Sequence, residues 1–307
     1  MNMIFKIAKT ELQTLFYSPV AWLILIVFTF QASILFTGTF GMSVRSQALE
    51  YEVGNLTLFT FGGDYGLFTH IQQYLYLYIP LLTMGLMSRE LSSGSIKLLY
   101  SSPVTNKEIV LGKYFAMLVY GLVLIGILAI YVLYSACTIK AFDFTVALSG
   151  LLGLYLLICA YASIGLFMSS LTSYQVVSAM GTLAILAALS LVRGMWQDIE
   201  FVRDITYWLS INGRADEFVN GLICSEDVLY FIVVVVLFLA WSIIKLQADR
   251  QKKALSATVG KYVGIFGIVV LIGYFSSRPV FKVFYDATRT KVNTLTPNSQ
   301  EIVKQLK

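Results

Sequence analysis

Seven long apolar runs are the feature that most constrains how this chain can fold. They lie at residues 19–37, 71–88, 110–134, 146–171, 174–193, 228–245 and 259–276. About 20 apolar residues cross the hydrocarbon core of a bilayer as a helix, so each run has roughly the length of one span. The sequence therefore predicts an all-α polytopic membrane protein with seven crossings.

The composition excludes a water-soluble globular domain. Of the 307 residues, 58% are hydrophobic and only 13% are charged, against about 45–50% and about 25% in soluble domains. So few charges cannot cover a surface that faces water. The basic residues lie beside apolar segments rather than in a patch interleaved with aromatic residues, so nucleic acid is not an expected partner. The expected partner is the lipid bilayer.

The basic residues also predict the orientation of the chain. They cluster in the N-terminal segment, in the link between the second and third runs, and in the link after the sixth run. The members are Lys6, Lys9, Arg89, Lys97, Lys107, Lys113, Lys245, Arg250, Lys252, Lys253 and Lys261. Seven crossings place all three clusters on one side, which the positive-inside rule makes cytoplasmic. The N-terminus is then cytoplasmic and the C-terminus external.

The first 18 residues have a helical period of their own. Ile4, Ile7 and Leu12 share one face, whereas Lys6 and Lys9 lie on another. This pattern predicts an amphipathic helix that lies on the inner leaflet. A frayed cytoplasmic tail is the alternative.

The link between the second and third runs is short, charged and internally patterned. We expect Ser95 to cap a helical turn whose apolar edge is Ile96 and Leu99, and Pro103 to stop that turn. Thr105 or Asn106 then begins the next helix, with Glu108 in its first turn. A short helix with apolar residues facing water needs a partner, although a plain connecting loop remains possible.

This link resembles a loop of ABC-2 type permeases. The family pattern is E-x-x-x-G-[TS]-hydrophobic-x-x-L-x-x-x-P, followed by G-K at the start of the third span. The matching residues are Glu90, Gly94, Ser95, Ile96, Leu99, Pro103, Gly112 and Lys113. Ser95 stands where the family usually has Thr. Residues 169–175 resemble the family's serine-threonine turn, and residues 216–230 resemble its external re-entry before span six.

The resemblance implies a six-span ABC-2 permease bundle in the bacterial inner membrane, followed here by a seventh C-terminal span. It implies an exporter that pairs with a second permease protomer, in a homodimer or a heterodimer. Loop 90–102 would dock on a separate cytoplasmic ABC ATPase subunit. The ATPase-coupling residues would be Glu90, Gly94, Ser95, Ile96, Lys97, Leu99 and Pro103.

The C-terminal part of the chain is similar to another family. Its pattern D-A-T-x-x-K-x-x-T-L-T-x-x-S, from Asp286 to Ser299, resembles the start of the external domain of the gliding-motility-type ABC accessory protein. We expect a short strand near 280–284, then a helix capped by Thr296 with Pro297 at its first position. Residues 278–307 are therefore expected to begin an external domain that continues beyond them, with an unstructured tail as the alternative.

These patterns together predict five parts of the chain. They are an interfacial helix at 1–18, the permease domain at 19–246, a basic cytoplasmic linker at 247–258, the seventh span at 259–277 and the start of an external domain at 278–307.

The sequence lacks the motifs of an enzyme. It has no G-x-x-x-x-G-K-[ST] loop, so we expect ATP hydrolysis on another subunit. The single histidine, His70, and the spacing of Cys137, Cys159 and Cys224 match no metal or redox motif, so neither a metal nor a cofactor is predicted.

Two other classes of membrane protein remain as alternatives. An intramembrane enzyme would need His70 near a serine such as Ser163, but no catalytic motif surrounds that serine. An ion-coupled secondary transporter usually carries ionisable residues at mid-membrane depth. The centres of these runs almost lack them, which favours an external source of energy.

Overall fold

A helix lies at each of the seven apolar runs. The computed structural model describes residues 3–49, 55–139, 141–192, 206, 209–251, 255–276, 282–289 and 291–294. In the described residues the helices are α1 (Met3–Tyr17), α2 (Pro19–Ala48), α3 (Leu56–Phe61), α4 (Leu67–Thr83), α5 (Ser88–Ser93), α6 (Ile96–Ser101), α7 (Asn106–Thr138), α8 (Phe144–Leu171), α9 (Gln175–Leu191), α10 (Ile211–Val219), α11 (Ser225–Gln251) and α12 (Leu255–Ser276).

Four of these helices are long and apolar enough to cross a membrane. They are α2, over Pro19–Ser46, together with α7, α8 and α11. Helix α9 and residues 258–273 of α12 are apolar but shorter. The polytopic all-α architecture is confirmed, whereas the count of six spans plus a seventh stays a prediction.

Different short helices lie at the two ends of the bundle. We call the end that carries α5 and α6 the loop end, and the end that carries α3 and α10 the strand end. The termini of the long helices alternate between them. At the loop end, the N–H of Ser88 donates a hydrogen bond to Ser169 Oγ of α8 at 3.0 Å. At the strand end, the N–H of Asp143, which caps α8, donates to Thr57 Oγ1 at 2.9 Å.

Helix α8 is the centre of the bundle and packs against α4, α7, α9, α10 and α11. Small residues allow the close contacts, as is usual between membrane helices. At Gly165, a Cβ atom would lie 2.1 Å from Thr83 Oγ1 of α4. A larger side chain there would force α4 and α8 apart.

Helix α7 begins where the sequence predicts. Thr105 Oγ1 accepts the N–H of Glu108 at 3.3 Å, and Glu108 Oε2 accepts the N–H of Thr105 at 2.9 Å. This reciprocal capping box satisfies two backbone donors at the helix start. Pro103 follows the end of α6, so the predicted end of α6 and the predicted start of α7 are confirmed.

Two short strands join the C-terminal segment to the strand end. Strands β1 (Leu222–Cys224) and β2 (Phe284–Asp286) are antiparallel, with Ile223 opposite Tyr285. The predicted strand near 280–284 therefore lies slightly later in the chain, and β1 was not predicted. The expected helix after Thr296 lies outside the described residues.

Further hydrogen bonds bind residues 282–289 and 291–294 to the bundle. The Arg289 N–H donates to Asp143 Oδ2 at 2.7 Å, and Asn293 Nδ2 donates to the Asn220 carbonyl at 3.0 Å. Burial alone would raise the pKa of Asp143, but hydrogen bonds from Thr145 and from Arg289 outweigh it and hold that pKa below its usual value. The described part of this segment is therefore ordered against the bundle, which argues against an unstructured tail there.

Candidate functional site

The link between α4 and α7 folds into two short helices anchored on α8. The N–H groups of Met87 and Ser88 donate to Ser169 Oγ at 2.9 and 3.0 Å, and Ser169 Oγ donates to the Met84 carbonyl at 2.9 Å. Ser169 belongs to the serine-threonine segment singled out in the sequence. Its hydroxyl thus supplies the acceptor that the first N–H groups of α5 lack.

Gly94 forms the turn between α5 and α6. Its φ of 73° is left-handed, a conformation that glycine adopts without the steric strain of a Cβ atom. The prediction that Ser95 caps α6 is wrong. Ser95 has right-handed helical angles, φ −64° and ψ −17°, and its side chain makes no cap bond, because an N-cap residue needs an extended backbone. Its Oγ lies 2.9 Å from Ser93 Oγ instead.

Helix α6 turns its predicted apolar edge inward. Ile96 is only 6% exposed, and Leu99 is half-buried against the same core. The expectation that these two side chains face water is therefore wrong, because the bundle itself covers them. The outward positions belong to Lys97, which is exposed, and to Leu98, which is 74% exposed. Leu98 was not among the predicted coupling residues.

A buried ion cluster lies behind the link. Lys113 Nζ contacts Glu11 Oε2 and Glu90 Oε1, each at 2.8 Å, and Arg89 Nη2 contacts Glu11 Oε1 at 2.9 Å. The Lys113 side chain is 2% exposed and that of Glu11 is 9% exposed. The cluster connects α1, α5 and α7 through charge-assisted hydrogen bonds.

Glu90 and Lys113, which both belong to the ABC-2 loop pattern, thus form an ion pair. Glu11 was not among the residues predicted for this site. The sequence did hold a signal for Glu11. It lies four residues from both Ile7 and Leu15, on the apolar face of α1, and an acid on a buried face needs a partner.

The glycine of the G-K pair has a different physical role. A Cβ atom at Gly112 would lie 2.7 Å from Ile7 Cβ and 3.1 Å from the Ile4 carbonyl oxygen. Gly112 therefore lets the backbone of α1 approach α7 closely enough for Glu11 to reach Lys113.

We expect Gly112→Ala to destabilise the loop end by about 1–3 kcal/mol, because it overpacks the contact between α1 and α7. Gly126→Ala is the matched control on the same helix, since nothing lies within 4 Å of its added Cβ. Thermal unfolding of both variants in detergent measures the difference. Equal melting temperatures for the two variants would contradict this account of Gly112.

Arg250, at the end of α11, holds the turn between α6 and α7. Its Nη2 donates to the Tyr100 and Ser102 carbonyls at 2.7 and 3.2 Å. Its Nη1 donates to the Val104 carbonyl at 3.1 Å and to Asn106 Oδ1 at 3.3 Å. The guanidinium carbon also lies 5.9 Å from the centre of the Tyr100 ring. From the sequence, Arg250 was predicted only to help orient the chain in the membrane.

These contacts all lie at the loop end, and apart from Arg250 they join residues in the part of the chain that resembles an ABC-2 permease. The sequence pattern of the family described as ABC-2 family transporter protein matches residues 5–200. The chain belongs to the ABC-2 transporter family. The matched residues include α1, the link with α5 and α6, and the whole ion cluster. A search among curated proteins gave no match.

Membership of the ABC-2 family gives the chain its general role. It is a multi-pass membrane protein and the permease subunit of an ABC transporter. Members of the family are typically transport subunits rather than enzymes, and the family implies an ABC ATPase as partner.

The alternative of an intramembrane serine enzyme receives no support from the site of Ser163. Its Oγ donates to the Ala160 carbonyl of its own helix at 2.7 Å, and the residue is fully buried. That bond is the usual way in which a serine satisfies itself inside a membrane helix.

Proposed function

We propose that the link at 88–105 is the surface through which a separate cytoplasmic ABC ATPase moves this permease. The observation that carries the proposal is the division of α6 into two faces. Its outer face presents the exposed side chains of Lys97 and Leu98, whereas its inner face buries Ile96 in the bundle. An exposed leucine on a rigidly held helix is a suitable anchor for an apolar cleft on a partner.

The proposed coupling needs a rigid route from α6 into the bundle. Ile96 packs in the core, Glu90 is bound to Lys113 of α7, and Arg250 of α11 holds the turn after α6. A push on α6 would therefore reach α7 and α11 together, and the cluster would pass it to α1. Gly94 and Pro103 flank α6, the helix that would move first, and Ser95 lies in the turn between α5 and α6.

The orientation follows from the same proposal. The loop end is cytoplasmic, as the clustered basic residues predict, and the strand end is external. We further propose export as the direction and a second permease protomer, identical or related, as the partner in the membrane. The host membrane is the bacterial inner membrane.

We also propose that residues 278–307 begin an external domain of the gliding-motility type. The support is the match from Asp286 to Ser299 and the docking of residues 282–294 on the strand end. In this arrangement the external domain begins directly against α10 and the start of α8.

The test of the coupling surface is a pull-down of the intact protein in mild detergent, scored by co-purified ATPase activity. We expect Leu98→Asp to reduce that activity at least tenfold, because truncating a buried interface anchor typically costs about 2 kcal/mol or more. Leu49→Asp is the matched control, since Leu49 is a 58% exposed leucine at the opposite end of the bundle.

The outcomes separate docking from folding. Ile96→Asp should lower the yield of folded protein, because it places a charge in the core, whereas Leu98→Asp should fold normally. If Leu98→Asp retained full ATPase activity in the pull-down, the proposed docking surface would be wrong.

A further inference from the structure

Three potential metal ligands meet at the strand end, away from the coupling surface. Glu217 lies on α10, Cys224 ends β1, and Asp227 is in the first turn of α11. One ligand atom from each lies within 4.8 Å of the other two. Cys224 is 4% exposed and Asp227 is 1% exposed, whereas Glu217 is half-buried. The three side chains thus converge on one small, largely enclosed volume.

The carboxylate of Asp227 provides an independent indication of a missing ligand. Its Oδ1 accepts a hydrogen bond from Arg214 Nη1 at 2.6 Å. Its Oδ2 is buried and has no hydrogen-bond partner. A buried acceptor without a partner costs about 1–3 kcal/mol, and more when the group is charged. A bound cation would satisfy this oxygen.

We infer that Glu217, Cys224 and Asp227 form a binding site for a divalent cation of the zinc type. The donor set consists of one sulfur and two carboxylate oxygens. Zinc accepts both kinds of donor, whereas Mg²⁺ and Ca²⁺ are bound by oxygen atoms alone. Three protein ligands leave the fourth tetrahedral position of zinc for water.

Arg214 has the role of an orienting group in this site. It holds Asp227 by one oxygen and so presents the other to the cluster, as partners of metal-bound carboxylates commonly do. Its own charge is also bound by Glu226 at 2.9 Å, and Glu226 is in turn paired with Lys282 at 2.7 Å. Because Lys282 belongs to the segment that forms β2, an occupied site would fasten α10, β1 and α11 beneath that segment.

Metal binding at this site must release a proton. The Cys224 thiol donates a hydrogen bond to Glu217 Oε2 at 3.1 Å. The cation replaces that proton and forms a bond to the thiolate. Zinc affinity should therefore rise with pH, because less work is then needed to remove the proton.

This site could not be predicted from the sequence because its ligands are of mixed types. A spacing of Cys-x-x-Asp with a distant Glu matches no known cysteine pattern, and only the pairing of α10 with β1 brings Glu217 near the other two.

The test uses the full chain in detergent, stripped with a chelator and then titrated with Zn²⁺ or with Co²⁺ as a spectroscopic probe. We expect one Zn²⁺ per chain, a rise in melting temperature that Mg²⁺ does not produce, and a thiolate-to-cobalt charge-transfer band. Cys224→Ser should remove the band, and Asp227→Asn should weaken Zn²⁺ binding about 10- to 100-fold.

Two control variants keep the test specific. Cys137→Ser removes an exposed thiol elsewhere in the chain, and Asp64→Asn removes an exposed acid of the strand end. Both should bind Zn²⁺ and Co²⁺ as the wild type does. A wild-type protein with no cobalt band and no zinc-induced rise in melting temperature would overturn the inference and indicate that the carboxylates share a proton instead. A band that followed Cys137 would also overturn it.

Discussion

Lys113→Met is expected to destabilise the loop end by roughly 3–5 kcal/mol, which is the usual cost of removing one partner from a buried ion pair. The wild-type Lys113 ammonium lies 2.8 Å from both Glu11 and Glu90. Methionine fills a similar volume but leaves the two carboxylates facing each other in a site that water barely reaches. Thermal unfolding in detergent measures the loss.

The effect should also appear in the coupling assay. Glu11 on α1 and Glu90 on α5 are joined only through Lys113 in the described ion pairs, and Arg89 reaches Glu11 from a more exposed position. Without Lys113 the repulsion between the two acids pushes α5 away from α1. We therefore expect less ATPase activity to co-purify with Lys113→Met, even though Leu98 is unchanged.

Two controls test whether charge is the cause. Lys107→Met removes an exposed lysine near the start of the same helix and should change stability by less than about 0.5 kcal/mol. The triple variant Glu11→Gln, Glu90→Gln, Lys113→Met removes three of the four charges of the cluster and leaves only Arg89, whose side chain is 41% exposed. It should recover much of the lost stability, because neutral replacements of a buried ion pair are often tolerated. If Lys113→Met alone were as stable as the wild type, the proposed role of the buried ion cluster would be wrong.

The sequence predicted those parts of the fold that depend on local physics. Apolar runs became helices because a bilayer requires satisfied backbone groups within each segment. Helix α7 began at the predicted position, where Thr105 and Glu108 form a capping box. These features depend on neighbouring residues alone, so they are visible in a single sequence.

The prediction failed where tertiary contacts decide the outcome. The sequence showed that α6 has an apolar edge but not which side of it the bundle covers, and so Ile96 was assigned to the partner and Leu98 was overlooked. The sequence placed Glu11 on an apolar face but could not indicate its partner, because Lys113 lies 102 positions later in the chain. The cluster of Glu217, Cys224 and Asp227 likewise exists only after α10 and β1 have folded together.

Arg250 is the clearest case of a residue that sequence reasoning could not have assigned. Three of its four acceptors are backbone carbonyls, those of Tyr100, Ser102 and Val104, and every residue carries such a group whatever its side chain. Only the distance between the end of α11 and the turn after α6 reveals the contact.

Arg250→Ala is expected to uncouple α11 from the coupling surface without removing the ATPase. Hydrogen bonds from a charged donor contribute about 1.5–3 kcal/mol, so amide exchange in residues 100–106 should accelerate roughly 10- to 100-fold. Because the outer face of α6 is unchanged, ATPase activity should still co-purify. We expect ATP to change the distance between a spin-label pair across the strand end in the wild-type complex, and we expect Arg250→Ala to lose that change.

Two further variants test whether the contact depends on the several N–H donors of the Arg250 guanidinium or only on its positive charge. Arg250→Lys keeps the charge, but its ammonium cannot reproduce the planar fork that serves four acceptors, so it should resemble Arg250→Ala in amide exchange. Lys245→Ala removes a basic residue of the same helix whose described partner is the partly exposed Asp249 at 2.8 Å, and a pair of that kind contributes about 0.3–0.5 kcal/mol. If Arg250→Lys exchanged as slowly as the wild type, charge at the end of α11 would be sufficient. If the distance change persisted in Arg250→Ala, the route from α6 into the bundle would run through Ile96 and Lys113 alone.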